Sequence, residues 1–307
     1  MASQHSTLDT AAILQFACDL ARQGGQVIRD AFYGQGLSVE GQVKNGNPSD
    51  LVTLVDQHVE TLVFGIIRER YPDHKLIGEE SASDSSWTLA DDPTWIVDPV
   101  DGTTNFTQRF PFVAISIALA YRKELVVGVV YNPVLDELYS ARQGHGAWLN
   151  QSTRLPFPTG QPAPLPPLNQ CLVGFEHGSD RTPAVLDSRL ASLRRSGGGE
   201  GGAQVRGVRV LGSGALDMCM VARGATDMYW EIGSHLWDIA AGTVIVREAG
   251  GIVVNGRGGD NFDILGRKYL AIRAAANDDD AEHSIKHALA REVLTYLEDI
   301  EVTRDGI

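Results

Sequence analysis

Twelve residues constrain this chain more than any others: Trp95-Ile96-Val97-Asp98-Pro99-Val100-Asp101-Gly102-Thr103-Thr104-Asn105-Phe106. The apolar start reads as a buried strand, which ends abruptly in two carboxylates. Pro99 lacks a backbone donor and holds Asp98 in extended geometry, while Gly102 allows a tight turn. The three-residue spacing brings Asp98 and Asp101 to one side of that turn. Carboxylates so placed repel each other unless a cation or a proton lies between them. Two threonine hydroxyls and several backbone N–H groups follow at once, as an oxyanion site requires. Two readings result: a divalent-metal site beside an anion site, or an Asx turn that only caps the next segment.

The 307-residue length suits one large domain or two smaller ones sharing a cleft. Acidic residues outnumber basic ones, 39 to 26, and no Lys/Arg block occurs, which argues against a nucleic-acid partner. An anionic small molecule would then need local positive charge, with bound cations the obvious source. Cys18, Cys171 and Cys219 are far apart and form neither a zinc pattern nor a disulfide framework, as expected in a reducing interior. No secretory leader and no long apolar span is evident, so the expectation is a cytoplasmic protein without a membrane partner.

Residues 1–7 read as a loose tail and Leu8 to Phe32 as an amphipathic helix. A loop over 33–50 contains Lys44. A second helix is expected from about Asp50 to Pro72, with Leu51, Val55, Val59 and Val63 buried and Asp56 on another face, free to point at a cleft. Leu76-Ile77-Gly78-Glu79-Glu80 is a short strand running into acids. Phe112–Ala120, Leu125–Tyr131, Glu137–Ala141 and Gly144–Leu149 read as an antiparallel meander. The Pro-rich segment 155–169 carries no regular element and marks a boundary. Cys171–Phe175, Val208–Leu211, Ala225–Trp230, Ile252–Val254 and Tyr269–Ile272 are strands. Helices are expected over Pro183–Arg194, after Gly212-Ser213-Gly214, over Leu236–Glu248, and along Ile285–Leu297. The Asp278–Asp280 run starts that last helix. The glycines of 196–203 lack the spacing of a nucleotide loop. The organisation is α/β: residues 8–154 as helices on an antiparallel sheet, 155–169 as connector, 170–298 as a smaller α/β domain, and an active site at the junction.

Acids stand where Glu79-Glu80, Asp98/Asp101, Glu231 and Asp238 terminate or begin elements. Of these, Glu79, Asp98, Asp101 and Asp238 form an oxygen-rich set that suits magnesium rather than zinc. Each has a plainer reading too. Asp238 suits a helix start, Glu80 a solvated neighbour, and Glu231 a strand-end surface residue. Cys219 lies within a helix without a Cys-x5-Arg loop, so no phosphoenzyme nucleophile is evident.

Trp95–Phe106 and Trp237-Asp238-Ile239-Ala240-Ala241-Gly242 together resemble the two signatures of the inositol monophosphatase family. Gly78-Glu79-Glu80 resembles its glutamate motif, and Leu51-Val52-Thr53-Leu54-Val55-Asp56 its aspartate-bearing helix. The likeness runs in consistent order from about residue 8 to 273. It thins over 155–169, in the 196–204 loop and after 273. Fungal members linked to quinate catabolism are similar as well. The resemblance implies a layered αβαβα sandwich, also seen in fructose bisphosphatases, usually dimeric. It implies hydrolysis of a small polyol phosphate, most plausibly inositol monophosphate, by metal-activated water. Two or three magnesium ions would serve each site, manganese could replace them, and lithium and calcium would inhibit.

By that resemblance Glu79, Asp98 and the Val100 carbonyl hold one metal, while Asp98, Asp101 and Asp238 hold a second. Thr103 and Glu79 orient and deprotonate the water, with Asp56 acting through Thr103. The Gly102 and Thr103 amides receive the phosphate, and Asp101, Ser213, Gly214, Glu231 and Asp238 meet the alcohol. Lys44 matches the mobile-loop lysine. Gly214 stands where the family often has alanine, which bears on the shape of the alcohol pocket. Rival readings are a phosphatase of fructose 1,6-bisphosphate or adenosine 3′,5′-bisphosphate, to which Arg206 and Arg209 could contribute, and a non-catalytic regulatory protein of the same fold.

Overall fold

The computed structural model describes residues 8–44, 51–82, 87–198, 201–256, 262–278 and 284–305, with the backbone alone at 51 and 52. The expected tail at 1–7, part of the Lys44 loop, part of the glycine loop and most of the Asp278–Asp280 run lie outside these residues.

Helix α1 (Thr10–Phe32) is capped by Asp9, which accepts the amides of Ala11 and Ala12 at 3.2 and 3.1 Å. Strands β1 (Gln42–Val43) and β2 (Leu51–Val52) form a small antiparallel pair. Helix α2 (Leu54–Arg70) therefore starts four residues later than Asp50. The reason is a capping box: Thr53 caps the helix, and Asp56 accepts the Thr53 amide at 3.0 Å. Asp56 is consequently buried at a helix start rather than turned towards open space.

Strand β3 (Lys75–Gly78) leads into the single turn α3 (Glu79–Ala82). Strand β4 (Thr94–Asp101) is buried throughout and is followed by the short α4 (Thr103–Thr107). Then come β5 (Ala114–Tyr121), β6 (Glu124–Asn132), β7 (Glu137–Arg142), β8 (Ala147–Leu149) and β9 (Thr153–Arg154). These make a seven-stranded sheet in the order β3-β4-β5-β6-β7-β8-β9, antiparallel except for β3 with β4. Strand β8 is shorter than expected because residues 144–146 form a turn. Their three amides are held by the Glu248 carboxylate at 2.8, 2.9 and 2.7 Å.

The second half gives β10 (Leu172–Phe175), α5 (Pro183–Gly197), β11 (Gly207–Arg209), α6 (Gly214–Arg223) and β12 (Met228–Ile232). It ends with α7 (Leu236–Glu248), β13 (Ile252–Asn255), β14 (Lys268–Ile272) and α8 (Ile285–Leu294). Its five strands order as β11-β10-β12-β14-β13.

Side chains alternate across β5 and decide the layering. Ile115, Ile117 and Leu119 join the core under α1 and α2. Ala114, Ala118 and Ala120 face the opposite core, shared with α6 and α7. That middle core also takes Val253 and Ala271 from the second sheet. The other face of the second sheet packs on α8 through Leu289, Ala290 and Val293. The expected αβαβα sandwich is thus formed, with α6 and α7 between the sheets. Glycine allows a close approach here: a Cβ on Gly128 would collide with the Ala241 carbonyl oxygen. Gly128→Ala is expected to cost roughly 1–3 kcal/mol, measured by urea unfolding. Unchanged stability would contradict this contact between β6 and α7.

Candidate active site

A cleft of about 730 Å³ opens where β4, α6, α7 and the end of β12 meet. Its walls include Lys44, Glu79, Asp98, Val100, Asp101, Gly102, Thr103, Ser213, Gly214, Glu231 and Asp238. Of the residues singled out from sequence, Asp56 stands behind the wall. Arg206 and Arg209 are not among the lining residues.

The β4 bulge between Asp98 and Asp101 turns both acids towards the cleft. Asp98 accepts the Val100 amide at 3.0 Å, so the Asx turn and the acidic site are one structure. Gly102 has φ +88°, and a Cβ there would press to 2.9 Å on the Phe112 carbonyl oxygen. The Thr103 hydroxyl lies 3.0 Å from the Val100 carbonyl and 3.2 Å from Asp56 Oδ1. It has one proton for two acceptors.

Asp101 accepts the Ser213 hydroxyl and, at 3.1 Å, the Ala215 amide. This ties β4 to the N-terminus of α6. Asp238 caps α7 by accepting the His235 amide at 2.7 Å, so its helix-start role and its place in the cleft coexist. Glu231 is buried inside β12, which corrects the surface reading, and accepts the Tyr229 hydroxyl and, at 2.7 Å, that of Ser234. Glu80 is not a solvated neighbour either. Lys44 Nζ bridges Glu79 at 2.9 Å and Glu80 at 2.7 Å.

Burial pushes the carboxyls of Asp98 and Asp238 well above their ordinary range, and repulsion from Glu79 and Asp101 adds to it. Burial lifts Asp101 to about 7 and Asp56 to about 6. Burial, then Glu79, raises Glu80 to about 7. Burial opposes the Lys44 charge, but Glu79 and Glu80 outweigh it and raise its pKa.

Among the described residues no three acidic, His or Cys side chains close into a ready ion cage. Their present partners account for this. Lys44 holds Glu79, Ser213 holds Asp101, and the His235 amide holds Asp238. The donor set nonetheless fits a hard divalent cation. It is all oxygen, buried at Asp98 and Asp101 and half-buried at Glu79 and Asp238, and already draws an ammonium onto Glu79.

The chain matches the pattern of the "Inositol monophosphatase family" over residues 9–297. The chain belongs to the inositol monophosphatase family. Rat "Inositol monophosphatase 1" is 39% identical over 294 residues, covering 95% of this chain and 96% of that protein. Human "Inositol monophosphatase 2" is 44% identical over 260 residues, 84% of each. The crystal structure of "extragenic suppressor protein suhB" from Bartonella henselae superposes with a TM-score of 0.72 at 31% identity, over 92% of this chain and 98% of that one.

Two residues of the cleft, Glu176 and Asp305, and a third behind it, Asp217, went unmarked in the sequence. Glu176, directly after β10, accepts the amides of Leu211 and Gly212 at 2.6 and 2.8 Å. Asp217 of α6 is fully buried. Asp305 returns to the cleft and accepts the Leu236 amide at 2.7 Å, with the His235 ring at 2.7 Å. Glu176 repeats the acid-after-strand signal that marked Glu79. The other two carry no local signal.

Proposed function

We propose that the protein is a magnesium-dependent phosphoric monoester hydrolase whose substrate is a small polyol phosphate, foremost inositol monophosphate. The observation that carries this reading is the convergence of Asp98, Asp101 and Asp238 on one cleft that also receives the N-termini of α6 and α7. Helix N-termini and backbone amides attract an anion, while the crowded carboxylates attract cations. A phosphate ester with its metal ions satisfies both.

In the proposed arrangement Glu79, Asp98 and the Val100 carbonyl would hold one magnesium ion. Asp98, Asp101 and Asp238 would hold a second, and a third would lean on Glu79. Ions so held would supply positive charge to the phosphate and a lowered pKa to the water used in hydrolysis. The Gly102 and Thr103 amides receive the phosphate. Ionised Asp56 accepts the Thr103 proton, which leaves the Thr103 oxygen free to accept one from the attacking water, with Glu79 as the base. Asp56 is therefore a positioning residue. Thr103→Val should lower kcat roughly 10²-fold with little change in KM. A kcat near wild type would remove Thr103 from the reaction.

The alcohol lies against Asp101, Ser213, Gly214, Glu231 and Asp238. A Cβ on Gly214 would stand 3.1 Å from the Tyr229 hydroxyl and 3.5 Å from Glu231 Oε2. Gly214→Ala is expected to change the relative kcat/KM among polyol phosphates while preserving the magnesium requirement. An unchanged ranking would take Gly214 out of substrate choice. Further elements of the proposal are a homodimer, a cytoplasmic setting, activity with manganese, and inhibition by lithium and calcium. The division at 155–169, with the site at the junction of 8–154 and 170–298, belongs to it too. No helix among the described residues is long and apolar enough to cross a membrane.

The test is phosphate release from a panel of cyclitol, sugar, nucleotide and quinate-related phosphates, each with magnesium, without it, and with added lithium. Magnesium-dependent release from a cyclitol phosphate supports the reading. Preference for a quinate-related phosphate would point to the fungal quinate-linked members. Silence from folded, magnesium-binding protein would overturn it.

A further inference from the structure

Asp217 presents a chemical problem that the catalytic reading does not use. Its side chain is fully buried, and among the described residues neither carboxyl oxygen meets a hydrogen-bond donor. Its neighbour within hydrogen-bond reach is another carboxyl, that of Glu176. The surroundings add no relief. Glu231 and Asp101 are the next charges it feels, and Cys219 lies on its own helix. The Tyr229 hydroxyl, also close, is committed to Glu231. Space for the carboxyl comes from Gly174, where a Cβ would stand 2.8 Å from Asp217 Oδ1.

Two acceptors cannot bond to each other without a proton between them. The partners decide which one carries it. Glu176 already accepts two backbone amides through Oε1, a setting that favours a carboxylate. Asp217 accepts nothing. We propose that Asp217 is a positioning residue that retains its proton and donates it to Glu176, fixing the carboxylate that holds Leu211 and Gly212. Burial first, and then the charge of Glu176, push the Asp217 carboxyl well up, in agreement.

The consequence lies in the cleft. Glu176 grips the amides of 211–212 from one side, while Asn105 donates to the Leu211 and Phe112 carbonyls at 2.7 and 2.8 Å from the other. Ser213, next in the chain, bonds Asp101. The acid pair thereby sets the Ser213–Gly214 wall, which is the alcohol subsite if the proposed function holds.

Two measurements test the pair. The infrared spectrum of the full chain should contain a protonated-carboxyl C=O band near neutral pH that Asp217→Asn removes. Asp217→Leu should lower kcat/KM about tenfold, chiefly through KM, because an unpartnered carboxylate remains. Asp217→Asn should rescue it, its amide replacing the acid proton as donor. Absence of the band, or an Asn variant as impaired as the Leu variant, overturns the proposal. If Asp217→Leu does not fold, the band comparison decides alone. The band is read without turnover, so a failure of the phosphatase reading would show separately, as silence in the substrate panel.

Discussion

Asp98→Asn is expected to fold normally and to lose roughly 10³-fold or more in kcat. Asp98 is 2% exposed and shares its surroundings with Glu79, Asp101 and Asp238. The substitution keeps size and the oxygen that accepts the Val100 amide, while removing one negative charge. Repulsion in the metal-free protein then falls, so melting without magnesium should hold steady or rise. In the proposed arrangement the same charge would bind cations, so activity should collapse. Lower activity with undiminished stability is the pattern to look for, by phosphate release and thermal melting of the same preparation. Full magnesium-dependent rate in the folded variant would sink the assignment of Asp98.

The second large effect concerns metal and pH together. In the metal-free protein the carboxyls of Asp101 and Glu80 are raised to about 7 and that of Asp56 to about 6, chiefly by burial. A carboxyl with a folded-state pKa above its unfolded value holds its proton more tightly when folded. Its stabilising contribution is fully present below the unfolded value of 3.8 for aspartate and is lost as pH rises through about 7. Protein freed of metal by a chelator should therefore melt roughly 5 °C lower at about pH 8 than at about pH 5. At the proposed site magnesium would compete with those protons, so its stabilising effect should grow over the same window. A flat metal-free melting profile, or an equal magnesium shift at both ends, would contradict the buried acidic site.

Much of this was legible from local chemistry. Strand β4 ends in Asp98 and Asp101 because proline, glycine and two acids dictate a turn wherever they occur together. The start of α7 at Leu236 follows from Asp238 in its first turn. The start of α2 was misread because Asp50 looks like a cap, whereas Thr53 and Asp56 form the reciprocal pair that begins the helix. Asp305 was invisible for a different reason, and Glu176, although it follows a strand, gave no sign of what it would hold. Their partners Leu236 and Leu211 are 69 and 35 residues away, and only the tertiary fold brings them together. Glu231 shows the limit of burial inference from sequence. An acid at the end of an apolar run looks solvated until Tyr229 and Ser234 are seen to close over it.

The cleft joins residues as distant in the chain as Glu79 and Asp238, across a helix layer that both sheets must reach. Closing such long loops comes late in folding because its entropic cost precedes its reward. The acids are therefore expected to come together only in the final docking of the sheets on α6 and α7. Electrostatic resistance falls on that closing step, where a divalent cation held by these acids would act as a folding agent. Refolding should accelerate with magnesium, while the early burst of secondary structure stays indifferent to it.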